Sequence, residues 1–256
     1  MIDAEKKYNG KVVDCHSHIL PGIDDGSVDM EMSLEMLRMA AGDGVTDLFL
    51  TSHGFEVMED PAHVKETFEQ VRQAAEDQGI SIRLHGGCEI FFDMKNNRKK
   101  KPEENMAYFI EQLQAGNLFP YWGTKYVLTE YYYHADKKEA LMVAKALLAA
   151  GYVPVIAHLE RYPHLVEAGL AEKLVKLGCM IQINAYSLVE ERKEITRETA
   201  RYLLNKGLVS FLGSDAHRTT HRPPMVGSGV QYIWENCEEA YARAVLYENA
   251  EKYLMQ

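Results

Sequence analysis

The sequence predicts an α/β fold of barrel-like type, with short parallel strands alternating with longer helices. Three observations carry that expectation. Seven short apolar runs, rich in Val, Ile, Leu and Phe and bounded by Gly, Asp or Pro, recur along the chain. Such runs suit strands buried on both faces. Amphipathic stretches lie between them, and several end at a glycine a few residues before the next run. The repeating order helix, Gly, strand is βα alternation, and seven strands are close to the number that closes a barrel.

The candidate strands fall at residues 11–14, 47–51, 81–85, 126–130, 153–157, 180–184 and 209–213. The first amphipathic segment, 28–43, carries Met30, Leu34, Leu37 and Ala41 at three- and four-residue spacing, which makes one apolar face of a helix. Segments 61–78, 137–150, 165–177 and 196–206 read the same way, and 238–254 is a closing helix. Gly44, Gly79, Gly151, Gly178 and Gly207 stand where helix C-caps are expected.

At 256 residues the chain suits one large domain or two small ones. It has no internal repeat and no Pro/Ser-rich linker, so a single domain over residues 1–256 is expected. Hydrophobic residues at 46% and charged residues at 26% argue against disordered and fibrous classes. A net charge of −10 excludes a global basic footprint for nucleic acid. No apolar run is long enough for a membrane span. The polar start MIDAEKKYNG lacks a signal-peptide core. Cys15, Cys88, Cys179 and Cys237 are scattered, as in a cytoplasmic protein with reduced thiols. The basic stretch 95–104, KNNRKKKPEE, reads as a solvated loop, or else as a lip for an anionic substrate.

The chemistry concentrates at strand ends. The first strand runs into Asp14-Cys15-His16-Ser17-His18. Two histidines two apart on a strand share a face, roughly 6–7 Å apart at the backbone, which suits one metal. A loop with Asp24 and Asp25 follows. His53, Glu89, Glu130 and His158 come just after later apolar runs, and Asp215 and His217 follow the last. In a barrel these positions converge on one mouth, where barrel enzymes keep their active sites. Each residue alone reads more simply as a cap or a satisfied polar group. Their recurrence at equivalent ends points to a centre holding two or three divalent ions. Mixed His and carboxylate ligands suit Mn, Zn or Fe better than Mg or Ca.

These motifs resemble the polymerase-and-histidinol-phosphatase (PHP) superfamily, and within it the capsular-polysaccharide tyrosine phosphatases of Gram-positive bacteria. The segments that carry the resemblance are Asp14 to His18, Gly22-Ile-Asp-Asp-Gly26, Thr51-Ser-His53, Gly87-Cys-Glu89, Ala157-His-Leu-Glu-Arg161 and Gly213-Ser-Asp-Ala-His217 with Arg222-Pro-Pro224. They span residues 12 to about 250 in the family's order. The resemblance implies a distorted seven-stranded (β/α) barrel with a trinuclear cluster, usually of manganese, with iron, zinc or cobalt as alternatives. It implies one ion held by His16, His18, Glu89 and Asp215. A second would take Glu89, Glu130 and His158, and a third Asp25, His53 and His217. Asp25 is preferred to Asp24 because it directly precedes Gly26. Two features depart from the family pattern near the substrate entrance: Thr-Ser-His-Gly-Phe after the second strand, and the basic stretch 93–104.

The implied activity is hydrolysis of phosphotyrosine on a bacterial tyrosine kinase that controls capsular or exopolysaccharide synthesis. A metal-bridging hydroxide would attack phosphorus, because divalent metals pull the pKa of bound water toward neutrality. Arg161 and Arg222 are the candidate catalytic cations, since a guanidinium matches phosphate in a bidentate fork. Tyr131, Tyr132 and Tyr133 could line the mouth as an aromatic wall. Cys237 and Arg243 match the spacing of a thiol phosphatase, but two acids and no Gly lie between them. Acids beside a thiol raise its pKa and repel phosphate, so a thiol route is rejected. The competing readings are a PHP phosphoesterase acting on a small ester such as histidinol phosphate, and a silent metal-binding module. Oligomeric state is left open.

Overall fold

The computed structural model describes residues 7–92 and 102–255. Most of the basic stretch lies outside the described residues. Among the described residues, eight strands form two parallel sheets. The first sheet has the order β1 (Val13–Asp14), β2 (Asp47–Leu50), β3 (Arg83–Gly86). The second runs β4 (Glu89–Phe92), β5 (Tyr126–Tyr131), β6 (Val153–Ile156), β7 (Met180–Asn184), β8 (Phe211–Gly213). Sequential strands are neighbours within each sheet, and every pairing is parallel.

The expected seven strands are therefore eight, in two sheets rather than one ring. The extra strand is β4. The sequence ends its third run at residue 85 and places Glu89 just past it, so residues 89–92 are not expected as a strand; only Gly87 and Cys88 separate β3 from β4. At that point the chain leaves β3 and pairs with β5. The two sheets still touch along both flanks. His53 and Glu89 form an isolated parallel bridge, as do Ser17 and Ala216. The Cys15 N–H donates to Leu212 O at 3.1 Å, and the Asp215 N–H to His16 O at 2.8 Å. Asp14 strengthens that second seam: its Oδ1 accepts from the Ser214 N–H at 2.8 Å and the His16 N–H at 3.2 Å.

Helices cover the sheets: α1 (Met30–Gly42), α2 (Gly54–Glu59), α3 (Pro61–Asp77), α4 (Pro102–Ala115) and α5 (Lys137–Ala149), then α6 (Pro163–Glu167), α7 (Leu170–Leu177), α8 (Glu194–Asn205), α9 (Gly227–Asn236), α10 (Glu239–Arg243) and α11 (Asn249–Tyr253). Asp29 caps α1 by accepting from the Met32 N–H, and Asp136 caps α5 in a full capping box with Glu139. All five expected C-cap glycines take positive φ. The expected helix 165–177 is two, because Gly169 at φ 66° breaks it between α6 and α7. The closing helix contains a π-helical turn, Ala244–Glu248, between α10 and α11. Helices α2, α4 and α9 have no counterpart in the sequence reading; short or interrupted apolar patterns hide them.

The main core packs strands against helices, with Leu48, Leu50, Ile156, Ile181 and Ile183 among its buried members. A second cluster, with Val13, Phe49, Leu128, Val155 and Phe211, draws residues from both sheets. Cys15 is buried in that cluster, away from the ligand chemistry.

Two consequences are testable here. A Cβ on Gly86 would lie 2.3–2.5 Å from atoms of the Trp122 indole. Gly86→Ala is expected to destabilise the fold by about 1–3 kcal/mol through overpacking, read as a lower urea midpoint. The second consequence concerns acid. Buried Asp47 binds the Arg83 guanidinium at 2.8 and 2.9 Å and His85 Nε2 at 3.0 Å. Burial opposes its charge, but the His85, Arg83 and Thr46 hydrogen bonds outweigh it and hold the pKa at about 2. A depressed carboxylate stabilises the fold above its unfolded pKa and loses that contribution as pH falls through the folded one. Asp47→Asn should therefore cost stability at neutral pH, by about 2 kcal/mol, and flatten the acid loss between about pH 4 and 2. Equal pH slopes for the variant and the parent would contradict this.

Candidate metal centre

The strand ends bring the nine predicted ligand residues together. His16 and His18 follow β1, His53 follows β2, Glu89 opens β4, and Glu130 sits near the end of β5. His158 follows β6, and Asp215 and His217 follow β8. Asp25 comes from the loop after His18. Glu89 is central. Its carboxylate lies 3.3 Å from His16 Nε2, 3.4 Å from His18 Nε2, 3.2 Å from His53 Nδ1 and 3.0 Å from His158 Nε2. Glu130 approaches His158 Nε2 at 3.5 Å. Asp25 Oδ1 faces His53 Nε2 at 3.4 Å and His217 Nε2 at 3.3 Å.

Four groups of converging donor atoms result: His18, Asp25, His53 and His217; His16, Glu89 and His158; His16, His18 and Asp215; and His53, Glu89 and Glu130. The members are those expected, but the partition differs. His18 faces Asp25's group as well as Asp215, and Glu130 joins His53.

A metal fits this donor set on three counts. Atoms around one ion at bonds of about 2.1 Å lie about 3.0–3.5 Å from one another, which is the spacing of the Glu89, Glu130 and Asp25 contacts with the histidines. His16 Nε2 and His18 Nε2 face each other at 3.2 Å, two ring nitrogens that a shared cation would satisfy. His217 Nε2 is buried and has no hydrogen-bond partner.

Asp24 takes a different place from Asp25. Its Oδ2 binds His18 Nδ1 at 2.8 Å and accepts from the His53 N–H at 3.0 Å, while its Oδ1 accepts from the Gly26 N–H. It therefore orients His18 from behind. Asp25 is 67% exposed and has an open side toward solvent.

Electrostatics follow the crowding. Burial pushes the Glu89 and Asp215 carboxyls up, but the surrounding histidines outweigh it and hold both below the ordinary range. Glu130 is pushed up to about 8, first by burial and then by the charge of Glu89. Burial and the neighbouring His18 push His217 down to about 4, favouring the neutral imidazole that binds metals.

Arg161 and Arg222 flank Asp215, with Nη1–carboxylate distances of 3.4 Å and 3.1 Å. They remain 40% and 28% exposed, so both can also reach an incoming anion. Among the described residues, His158, Asp215 and Arg222 alone hold positive φ without being glycine, at 33°, 54° and 51°. Each such backbone costs about 1–3 kcal/mol and tends to cluster at functional sites. The expected tyrosine wall is not contiguous. Tyr131 is buried, with its hydroxyl on Ala140 O, and Tyr133 is 58% exposed. Strand β5 ends at Tyr131 and the chain turns at residues 133–134, so the three rings do not continue one face.

Two polar groups behind the candidate ligands, Gln182 and Asn184, are not singled out in the sequence, and Asp24 is weighed there only as an alternative ligand to Asp25. The one signal was a Gln and an Asn two residues apart in the apolar run 180–184.

Parallel strands that deliver histidines and carboxylates to one end of the framework define a class of α/β proteins built around a multi-ligand metal centre. Within that class the chain belongs to the capsular polysaccharide synthesis family CpsB/CapC, whose sequence profile matches residues 12–255. It is 28% identical to the tyrosine-protein phosphatase CpsB of Streptococcus pneumoniae over 95% of this chain and 98% of that protein. It is 29% identical to the tyrosine-protein phosphatase YwqE of Bacillus subtilis over 95% of this chain and 91% of that one. A crystal structure from work on those two proteins, described as metal-dependent tyrosine phosphatases, superposes with a TM-score of 0.80 over 95% of this chain and 94% of that chain, at 28% identity. A phosphotriesterase homology protein from Escherichia coli shares the fold, with a TM-score of 0.55 at 14% identity over 98% of this chain and 99% of that one.

Proposed function

We propose that this chain is a metal-dependent phosphatase that hydrolyses phosphotyrosine, acting on a bacterial tyrosine kinase that controls capsular or exopolysaccharide synthesis. The observation that carries this is the convergence of five histidines and four carboxylates beside two accessible arginines. The relatives' activity and the family's capsular context support the substrate. His16, His18, Asp25, His53, Glu89, Glu130, His158, Asp215 and His217 are the proposed ligands of two or three ions. Manganese is the ion we favour, on the mixed imidazole and carboxylate donor set.

Divalent ions held there would supply positive charge to a phosphoryl group and acidify water near neutral pH. The chain's own residues do the rest. Asp24 and Glu89 hold the imidazoles in place. Arg161 and Arg222 bind phosphoryl oxygens and stabilise the charge that moves during transfer. Phenolate leaves readily, so no general acid is assigned. The two sheets act as one distorted barrel within a single domain, supported by the hydrogen bonds along both flanks. Cytoplasmic residence is supported by the free cysteines Cys15, Cys88, Cys179 and Cys237. No helix among the described residues is long and apolar enough to cross a membrane.

The test is phosphate release from a phosphotyrosine peptide by chelated and then manganese-restored protein, with histidinol phosphate in parallel. The expected result is metal-dependent turnover of the peptide, with a melting temperature that falls on chelation and recovers with the ion. Turnover of histidinol phosphate alone would move the protein to a metabolic role. Silence on both esters with metal bound would leave a binding module.

A further inference from the structure

Strand β7 brings no histidine or acid to the centre, yet it is buried against it. Gln182 and Asn184 are both fully buried. Two apart on one strand, they share a face. Gln182 Oε1 accepts from the His158 backbone N–H at 2.7 Å and lies 3.3 Å from His16 Nδ1. Gln182 Nε2 donates to Asn184 Oδ1 at 2.9 Å. Asn184 Nδ2 donates to Asp215 Oδ2 at 3.3 Å.

The direction of this chain is not arbitrary. A backbone N–H can only donate, so the His158 amide fixes which end of the Gln182 side chain is oxygen. That leaves the Gln182 NH2 facing Asn184, which must answer with its oxygen. Asn184 is then left with its NH2 toward Asp215. With an oxygen beside it, the neutral His16 ring carries its proton on Nδ1 and keeps the Nε2 lone pair for the cluster, where Nε2 lies 3.3 Å from Glu89. Asp215 Oδ2 accepts from Asn184, Arg161 and Arg222, while Oδ1, which Arg222 Nη1 also reaches at 3.2 Å, turns to His16 and His18 Nε2 at 3.9 and 3.6 Å. The approach is tight. A Cβ on Gly213 would lie 2.8 Å from both Gln182 Nε2 and His16 Cβ.

We infer that Gln182 and Asn184 form a polarised amide relay, a pair of positioning residues. The relay sets the His16 tautomer and which Asp215 oxygen faces the histidines, and so presents these two groups as metal ligands. This rests on the proposed metal centre. Outer partners of metal ligands typically contribute about 10–100-fold in affinity.

The experiment is calorimetric titration of manganese, and separately zinc, into chelated protein. It compares the parent with Gln182→Met, Gln182→Glu, Asn184→Leu and the Gln182→Met/Asn184→Leu double variant, with circular dichroism and apo melting curves as controls of folding. Gln182→Met should stay folded and weaken the tightest sites by about 10–100-fold. Gln182→Glu keeps an oxygen for His158 and His16 and should recover part of that loss, which a packing role would not produce. If the two amides act as one relay, the double variant should bind no more weakly than the worse single. Wild-type affinity in folded Gln182→Met and Asn184→Leu would overturn the relay and leave the metal centre standing. Absence of binding by the parent itself would overturn the metal reading and the relay with it. If Gln182→Met does not fold, Gln182→Glu and Asn184→Leu decide alone: unchanged affinity in both rejects the relay.

Discussion

Glu89→Gln should abolish most of the phosphatase activity and empty part of the centre. The substitution keeps shape and removes one negative charge. Glu89 touches four histidines at 3.0–3.4 Å, more of the cluster than any other carboxylate described here. A neutral amide would be a weaker ligand than a carboxylate, and its NH2 would point a proton at the ring nitrogens that would hold metal. The expected loss in turnover is above ~100-fold, beyond the 10–100-fold typical of an outer partner. Metal content per chain, measured by elemental analysis after gel filtration, should fall with it. A variant with full metal content and near-parental turnover would remove Glu89 from the proposed ligands.

Arg222→Ala is the second large effect, and it should separate substrate handling from metal binding. Arg222 lies against Asp215 and is partly exposed. Its backbone is held at φ 51°, and its carbonyl accepts from the His217 N–H at 3.0 Å. Loss of one group that stabilises developing charge typically costs about 10²–10³-fold in kcat. A loss of that size is expected for Arg222→Ala, with KM raised and metal content retained. Arg161→Ala should act in the same direction. Arg222→Lys should restore little, because an ammonium cannot reproduce the planar fork. Parental kinetics with Arg222→Ala would assign the guanidinium to neutralising Asp215 alone. Loss of metal in this variant, rather than of kcat, would mean the same.

The helices at 61–78 and 137–150 were legible from apolar spacing and glycine ends, and strands β5, β6 and β7 from their runs. Strand β4 was not, because the two residues that separate it from β3 carry no periodicity. The break at Gly169 was also hidden, since glycine inside an amphipathic stretch is tolerated in many helices. At the centre, the candidate ligands were legible from residue type at strand ends. Asp25 and Asp24 are adjacent and chemically identical, and only the turn after His18 sends one to the His53 and His217 imidazoles and the other to the back of His18.

The sequence by itself determined the alternation of strands and helices and the inventory of histidines, carboxylates and arginines, because periodicity and residue type are local properties. The tertiary structure decided the rest. It split the strands into two sheets, made Glu89 the hub, grouped the ligands, and set Gln182 and Asn184 behind His16 and Asp215. The physical reason is distance along the chain. His16 and Gln182 are 166 residues apart, as Asp14 and Ser214 are 200, and only closure of the sheets brings their atoms within hydrogen-bond reach.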